Sequence, residues 1–230
     1  MKHILVIGAG GFIGSAITHR LLKEEDRRSL VFGTSRSGRF GHLRLDVTDA
    51  TSVEDFSEWL MKNEINPSVI IYAAGNREPG GFKAEMKTSK RDTDPAVFMK
   101  NAEVYGLGLL HVATKLVPHM TDDGHIVVIS SVDGTEKPPY YLSDRLYGAS
   151  IAAQEVLVKW MRADTLFTTP RNIHVHRIAP GSVEGSPFYE GAATELLPQR
   201  MVPVSEIVEA VAQAINMSTG YVDLNLFASK

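Results

Sequence analysis

The chain has 230 residues, of which 43% are hydrophobic and 22% are charged, and its formal net charge is -3 at pH 7. This composition is typical of a globular protein with enough apolar material for a core, and the slightly acidic balance gives no electrostatic reason to expect binding to nucleic acid or an anionic membrane. No apolar run approaches the roughly 20 residues that span a bilayer, and the absence of cysteine excludes disulfides and thiolate metal sites and agrees with a cytoplasmic location.

Short apolar segments alternate with amphipathic segments from one end of the chain to the other. The predicted strands cover residues 4–7, 30–33, 69–72, 125–130, 173–178 and 221–227. The predicted helices cover residues 13–25, 53–63, 96–117, 147–162 and 205–217. Continuous apolar strands are typical of a parallel sheet that is covered on both faces. The repeated order therefore predicts a doubly wound α/β fold of the Rossmann type, with helices on both faces and right-handed crossovers.

We expect one domain spanning residues 1–230, because the chain shows no internal repeat, low-complexity tract or interdomain linker. Two polar stretches, residues 76–94 and 180–203, are too long for ordinary turns and are interpreted as functional loops. The second is the predicted substrate loop.

The turn after the first predicted strand is rich in glycine and is followed by a helical pattern. Its sequence is Gly8-Ala9-Gly10-Gly11-Phe12-Ile13-Gly14. In a strand–turn–helix unit of this kind, backbone N–H groups and the helix dipole hold a pyrophosphate. The spacing departs from a strict G-x-G-x-x-G, since Ile13 stands where glycine would be needed. We predict a dinucleotide site; a glycine-rich turn without a ligand is the alternative.

The end of the second predicted strand indicates which dinucleotide is bound. An acidic side chain there accepts from the ribose 2′-hydroxyl of NAD, whereas a basic one accommodates the 2′-phosphate of NADP. No Asp or Glu occurs from residue 31 to residue 42. Arg36 can form a forked pair with a phosphate, with Ser35 and Ser37 donating beside it. We predict NADP(H); a solvated loop arginine is the alternative.

Six segments in order resemble the motifs of the short-chain dehydrogenase/reductase family over nearly the whole chain. The glycine-rich turn looks like the extended or atypical form of the family's turn. Asp46-Val47 is similar to the pair that contacts adenine, and Tyr72-Ala73-Ala74-Gly75 matches the family's N-N-A-G turn with both asparagines replaced. The other three are the strand that ends in Ser130-Ser131, the helix that begins with Tyr147-Gly148-Ala149-Ser150, and the loop Pro180-Gly181-Ser182-Val183.

This resemblance implies that Ser131 and Tyr147 are the catalytic residues. Together with the end of the second strand, it implies that NADP(H) is held by Gly8, Gly10, Gly11, Phe12, Ile13, Gly14, Ser35, Arg36, Asp46, Val47, Ala73, Ala74, Gly75, Tyr147, Pro180, Gly181 and Val183.

The chain departs from the family at the chemistry. Four residues beyond its tyrosine the family has a lysine, on the same helix face, whose charge lowers the phenol pKa; this chain has Ile151 there. The family's asparagine on the middle helix is also unmatched. Aligning Gly106 with that helix's usual glycine puts Glu103 at the asparagine position, with Asn101 nearby.

The leading hypothesis is an NADP(H)-dependent oxidoreductase acting on a carbonyl or alcohol, in which Tyr147 gives a proton to the carbonyl oxygen and Ser131 orients it. The alternatives are a redox-neutral lyase, isomerase or cyclase on the same scaffold, a nucleotide-binding protein without turnover, and a reductase in which position 151 has been altered by engineering.

A second tyrosine–base pair, Tyr141 with Arg145, is an alternative to Tyr147. Lys137 or Arg145 is a candidate to supply the positive charge that the family's lysine provides.

His174 and His176 lack a carboxylate at metal-ligand spacing, so we expect no metal site. The resemblance implies a homodimer or homotetramer through helices 96–117 and 147–162.

Overall fold

The computed structural model describes residues 1–23, 29–76, 94–135, 145–167, 171–190 and 201–227. Its strands form one parallel sheet in the order β3-β2-β1-β4-β5-β6-β7. They are β1 (Lys2–Ile7), β2 (Ser29–Ser35), β3 (Leu43–Arg44), β4 (Val69–Tyr72), β5 (His125–Ile129), β6 (His174–Pro180) and β7 (Asp223–Leu226). The strand order reverses between β1 and β4, which is the place where doubly wound sheets bind ligands. The predicted fold class is confirmed.

Helices lie on both sides of the sheet. They are α1 (Phe12–Lys23), α2 (Ala50–Lys62), α3 (Pro95–Ala102), α4 (Gly108–Leu116), α5 (Arg145–Phe167) and α6 (Val204–Ala214). The long α5 was predicted to begin at Tyr147, two residues after its observed start. None of the helices in the part of the chain described above has the length and apolar content needed to cross a membrane.

The core is divided between the two faces of the sheet, as the two-residue period of a strand requires. Along β1, Leu5 and Ile7 pack into one cluster with α2 and α4 side chains. Ile4 and Val6 point the other way, into a cluster with α1 and α6 side chains. Burial on both faces explains why these strands are continuously apolar in sequence.

The prediction of one continuous helix over residues 96–117 is wrong. A π-helical turn, Glu103–Leu107, separates α3 from α4, and the Gly108 N–H bonds to the carbonyl of Glu103, five residues back. The Val104 carbonyl accepts instead from the Tyr72 hydroxyl at the end of β4. A bond from another element therefore accompanies the interruption of the helical ladder.

Candidate functional site

The glycine-rich turn, residues 8–14, packs its backbone against the end of β4. Gly8 has a φ of +87°, and a Cβ there would stand 2.7 Å from the Ala73 carbonyl carbon. A Cβ on Gly14 would overlap the Gly8 oxygen and stand 2.8 Å from the Gly8 carbonyl carbon. Helix α1 begins at Phe12, directly within the turn. The first N–H groups of a helix have no partner inside it, so those of α1 are available beside the turn. The turn is thus a close-packed backbone cradle of the kind that holds a pyrophosphate.

The other two glycines of the turn, Gly10 and Gly11, have different neighbours. The Gly11 N–H donates to the Gly8 carbonyl at 2.9 Å and tightens the turn. Gly10 faces the end of β2, where a Cβ on it would stand 3.3 Å from Ser35 Cβ and 3.7 Å from His42 Nδ1. The glycine-rich turn and the end of β2 are therefore in contact.

The end of β2 carries polar atoms that lack protein partners. Ser35 Oγ and His42 Nδ1 are buried, and neither has a hydrogen-bond partner among the described residues. Arg36, the next residue after β2, is exposed. Orphaned buried polar atoms are uncommon in folded proteins. Beside a backbone cradle for phosphate, they fit a nucleotide whose ribose would complete their hydrogen bonds.

Asp46 and Val47 follow β3 at the same edge of the sheet. Asp46 Oδ1 accepts from the backbone N–H and the hydroxyl of Thr48, at 3.0 and 2.7 Å. Val47 is buried, and its carbonyl lies 2.9 Å from His111 Nδ1 on α4. The structure thus places both residues beside the carboxyl ends of the strands, with the carboxylate bonded inside its own loop.

The end of β4 runs from Ala73 through Ala74 to Gly75. The Ala73 N–H donates to the Ile7 carbonyl at 2.8 Å, which continues the pairing with β1. A Cβ on Gly75 would stand 3.3 Å from the Tyr105 hydroxyl oxygen. The next N–H, that of Asn76, donates to the same oxygen at 3.1 Å. The β4 end is therefore joined to the π-helical turn.

Tyr147 lies in a small buried cluster with Tyr105 and Ile151. The two tyrosine rings meet edge to face, with their centroids 5.4 Å apart. Ile151 is fully buried and stands one helical turn beyond Tyr147. Position 151, which the resemblance aligns with the family's lysine, is thus apolar and closed from solvent.

Ser131 begins a short turn, Val132–Gly134, that we call the serine turn. Ser131 Oγ accepts from the Asp133 N–H at 3.3 Å and donates to Asp133 Oδ2 at 3.2 Å. A Cβ on Gly148 would stand 2.9 Å from the Asp133 carbonyl oxygen. The serine turn therefore lies on the first turns of α5 and brings Ser131 to the part of the helix that carries Tyr147.

The packing of the middle helix favours Gly108 over Gly106 as its closely packed glycine. Glu103 is exposed, and Gly106 has open space around its Cα. The glycine that the packing requires is Gly108, because a Cβ there would stand 2.6 Å from the Tyr72 hydroxyl and 2.8 Å from Val47 Cγ2. If Gly108 takes the place of that helix's usual glycine, the same offset of three residues leads to Tyr105, which packs on Tyr147. Tyr105 was not among the residues predicted from the sequence; the three-residue offset from Gly108 is the signal that would have found it.

The loop after β6 approaches the glycine-rich turn from the other side. Pro180 ends β6, and the Gly181 N–H donates to the Leu226 carbonyl at 2.9 Å. Val183 is buried and pairs with Val202 in an isolated bridge. At Gly185, whose φ is +70°, a Cβ would stand 3.6 Å from Phe12 Cζ. The predicted substrate loop thus packs on the predicted cofactor turn, and its residues 191–200 lie outside the described part.

Three histidines stack at the beginning of β5 and β6. The Val222 N–H donates to His176 Nδ1, so neutral His176 carries its proton on Nε2 and donates to His125 Nδ1 at 3.0 Å. Desolvation is the main cause that lowers the pKa of His125 to about 4 and that of His176 to about 3, and the neighbouring histidines add to both shifts. His174 stacks on His125. These contacts give His174 and His176 a structural role at the start of β6.

Some predicted features fall outside the described residues. These are Lys137, Tyr141 and most of the loop 76–94. Arg145 begins α5, but its side chain is not among those described.

Comparison with known proteins supports one family. The family model described as short chain dehydrogenase matches residues 2–195. No curated protein sequence matches the chain at significant similarity.

Solved structures resemble the chain along almost its whole length. An alcohol dehydrogenase from the archaeon Thermococcus sibiricus, complexed with 5-hydroxy-NADP, is 22% identical; the match covers 98% of this chain and 96% of that one, with a TM-score of 0.74. Serine dehydrogenase from Escherichia coli is 20% identical, with coverages of 98% and 97% and a TM-score of 0.73. A short chain dehydrogenase from Burkholderia cenocepacia in complex with NADP is 21% identical, with coverages of 98% and 90% and a TM-score of 0.72. At these identities the likeness concerns the fold.

Proposed function

Because the chain belongs to the short-chain dehydrogenase family, we propose that it is an NADP(H)-dependent oxidoreductase that acts on a carbonyl or alcohol substrate. The observation that carries this proposal is the packing of the serine turn on the beginning of α5, which brings Ser131 and Tyr147 to one place beside the carboxyl ends of the strands. The protein is proposed to be one domain, with a substrate loop around residues 180–203.

The cofactor part of the proposal rests on the glycine-rich turn and the end of β2. The backbone of Gly8, Gly11 and Gly14 would hold the pyrophosphate, with Gly10, Phe12 and Ile13 completing the turn. Arg36 would pair with the 2′-phosphate and Ser35 would donate beside it. The structures from Thermococcus sibiricus and Burkholderia cenocepacia, which contain 5-hydroxy-NADP and NADP, are consistent with this choice.

The other cofactor contacts lie along the same edge of the sheet. Adenine would lie beside Asp46 and Val47. The nicotinamide half would lie between the β4 end and the loop after β6; its proposed contacts are Ala73, Ala74, Gly75, Tyr147, Pro180, Gly181 and Val183. When bound, the nicotinamide supplies or accepts the hydride.

Proton handling would fall to this chain's own side chains. Tyr147 would donate its hydroxyl proton to the substrate oxygen when the substrate is reduced, and take it back when an alcohol is oxidised. Ser131 would orient that oxygen by a hydrogen bond. Because the Ser131 hydroxyl donates to Asp133 Oδ2 at 3.2 Å, it would turn away from the carboxylate to polarise a carbonyl.

A redox-neutral reaction is the second candidate, and the closed apolar environment of Ile151 favours it. Ile151 has no charge to promote ionisation of a phenol, and its side chain is fully buried beside Tyr105 and Tyr147. Two phenols and the Ser131–Asp133 pair are suited to hydrogen bonding and proton transfer without hydride transfer. A lyase, isomerase or cyclase would use the same residues in this way.

We further propose a cytoplasmic homodimer or homotetramer. Among the described residues, five large apolar side chains are exposed in the helical region implied by the resemblance: Met99, Leu107, Leu110, Val156 and Trp160. The absence of cysteine is consistent with a reducing compartment.

Calorimetry with NADP⁺ and NAD⁺, followed by an NADPH oxidation assay over a panel of ketones and aldehydes, tests the proposal. We expect tighter binding of NADP⁺ and consumption of NADPH that is lost in Tyr147→Phe, with binding retained. Equal affinities would overturn the cofactor proposal. Unchanged consumption in Tyr147→Phe would overturn the role of Tyr147.

A further inference from the structure

His42 lies between the glycine-rich turn and the end of β2, although it follows β2 by seven residues. The chain is brought back by three residues with left-handed backbone, Gly38 (φ +63°), Phe40 (φ +59°) and Gly41 (φ +78°). The His42 N–H then donates to the Arg39 carbonyl at 3.1 Å. The loop conformation thus fixes where the imidazole is placed.

The imidazole occupies space that two glycines leave open. A Cβ on Gly33 would stand 3.0 Å from His42 Cδ2. A Cβ on Gly10 would stand 3.7 Å from His42 Nδ1. The Nδ1 edge of the ring therefore faces the glycine-rich turn, and Ser35 borders the same space, since its Cβ lies 3.3 Å from the Gly10 Cβ position.

Two polar atoms in this space, His42 Nδ1 and Ser35 Oγ, are buried and have no partner among the described residues. Burying a polar atom without a hydrogen bond is unfavourable, so such atoms indicate a missing partner. Thr34 Oγ1 is also orphaned, but successive residues of a strand point to opposite faces, so Thr34 does not join this group.

The local charge indicates an anionic partner. Arg36 and Arg39 lie on the same loop, and Arg44 packs against it, with its Cβ 3.2 Å from the Gly38 Cβ position. The nearest carboxylate along the chain, Asp46, is bonded to Thr48. A site between a pyrophosphate turn and the end of the second strand is that of the adenosine ribose.

We propose that His42 Nδ1, together with Ser35 Oγ, binds the 2′-phosphate of the adenosine ribose and makes His42 a determinant of the choice between NADP and NAD. This inference rests on the proposed function and deepens it, because the NADP prediction from the sequence rested on Arg36 with Ser35 and Ser37, and on the absence of an acidic residue, and did not include His42. Arg36 is exposed and supplies charge, whereas His42 supplies a buried, positioned hydrogen bond.

Adenosine 2′,5′-bisphosphate and 5′-AMP test this without any catalytic reaction, because they differ only in the 2′-phosphate. Each is titrated by calorimetry into the wild type and into His42→Phe, His42→Asn and His42→Gln. An asparagine amide nitrogen can replace Nδ1, whereas a glutamine amide reaches the position of Nε2. His19→Asn, at an exposed histidine of α1, is the control.

We expect His42→Phe and His42→Gln to lose about 10- to 100-fold in affinity for the bisphosphate, the range for a hydrogen bond to a charged group. AMP affinity should stay within about twofold, and His42→Asn and the control should bind like the wild type. In the wild type, the His42 imidazole NMR signals should shift with the bisphosphate and not with AMP, a readout that does not depend on the variants folding.

The two proposals fail in different ways. A wild type that binds the bisphosphate no more tightly than AMP overturns the NADP preference, and the role of His42 with it. A wild type that prefers the bisphosphate while His42→Phe keeps the same preference overturns the role of His42 alone. Tighter binding by His42→Phe would also overturn it, because the ring would then cover the site.

Discussion

Gly134 of the serine turn packs directly on Ile151 of α5: a Cβ on the glycine would stand 3.0 Å from Ile151 Cβ and would overlap Cγ2. The loop that follows Ser131 therefore rests on the Ile151 side chain. A change at residue 151 acts both on Tyr147, one helical turn away, and on the support of Ser131.

We predict that Ile151→Lys increases ketone reduction. Lysine lacks the Cγ2 branch that presses on Gly134, and its ammonium would lie beside Tyr147, where a cation favours ionisation of a phenol. We expect NADPH consumption to rise at least about 10-fold on some ketone, below the roughly 10²–10⁴-fold range of general acid–base catalysis. The matched control is Ile151→Met, which is unbranched and uncharged and should give no increase. A well-folded Ile151→Lys variant that binds NADPH but gains nothing on any ketone would favour the redox-neutral candidate.

We predict that Gly14→Ala prevents dinucleotide binding. The new Cβ would collide with the Gly8 carbonyl, and backbone atoms cannot move aside without opening the turn. The expected cost in unfolding free energy is about 1–3 kcal/mol, as for other overpacked sites, with loss of NADP⁺ binding in calorimetry. Gly106→Ala is the control, since a Cβ there meets nothing within 4 Å. Retention of wild-type affinity by Gly14→Ala would mean that the pyrophosphate binds elsewhere.

The sequence predicted the sheet and the glycine-rich turn because local patterns determine them. Apolar runs identified six of the seven strands, and the two-residue β3 is too short to show a pattern. The π-helical turn could not be predicted, because it involves the Tyr72 hydroxyl, which reaches the Val104 carbonyl from β4. The register of this turn sets which residue faces Tyr147, and it selects Tyr105 over Glu103.

The loop between β2 and β3 is a second example. Gly38 and Gly41 have left-handed backbone conformations, and the sequence does not show that these return His42 to the glycine-rich turn. The residues predicted from the sequence to bind there were therefore only those next to the strand end, Ser35, Arg36 and Ser37.

We predict that the folded protein loses stability in acid because of the buried histidines. Their pKa values are about 4 for His125 and about 3 for His176, lowered from 6.5 by burial. Below about pH 6.5 the unfolded chain binds protons that the folded chain does not. The free energy of unfolding therefore keeps its full value above that pH and decreases as the pH drops towards 4 and then 3. Each such proton contributes a slope of about 1.4 kcal/mol per pH unit. Urea unfolding from pH 7 to pH 4.5 measures this slope. His125→Phe should reduce it, whereas an unchanged slope in that variant would show that other groups cause the loss.

We predict that Trp160→Glu reduces the oligomeric state. Trp160 is 65% exposed and Val156, one turn earlier on α5, is 51% exposed, so the two form an apolar stripe. If this stripe forms an interface, a charge placed in it would be buried without a partner. Sedimentation of the wild type should give a dimer or tetramer at micromolar concentration, and the variant should give a smaller species. Met61→Glu, on α2, is the control. A monomeric wild type would refute the oligomer proposal.

Transfer of deuterium from NADPH to a substrate tests hydride transfer itself. NADPH labelled with deuterium at C4, in each of the two stereochemical forms, is incubated with the wild type and Ile151→Lys over a panel of ketones and aldehydes, and the products are analysed by mass spectrometry. We predict that one labelled form and not the other delivers deuterium to the carbon of the reduced carbonyl, and that Tyr147→Phe abolishes the transfer while still binding NADPH. Tight NADPH binding without deuterium in any product, from either protein, would contradict the assignment as an oxidoreductase.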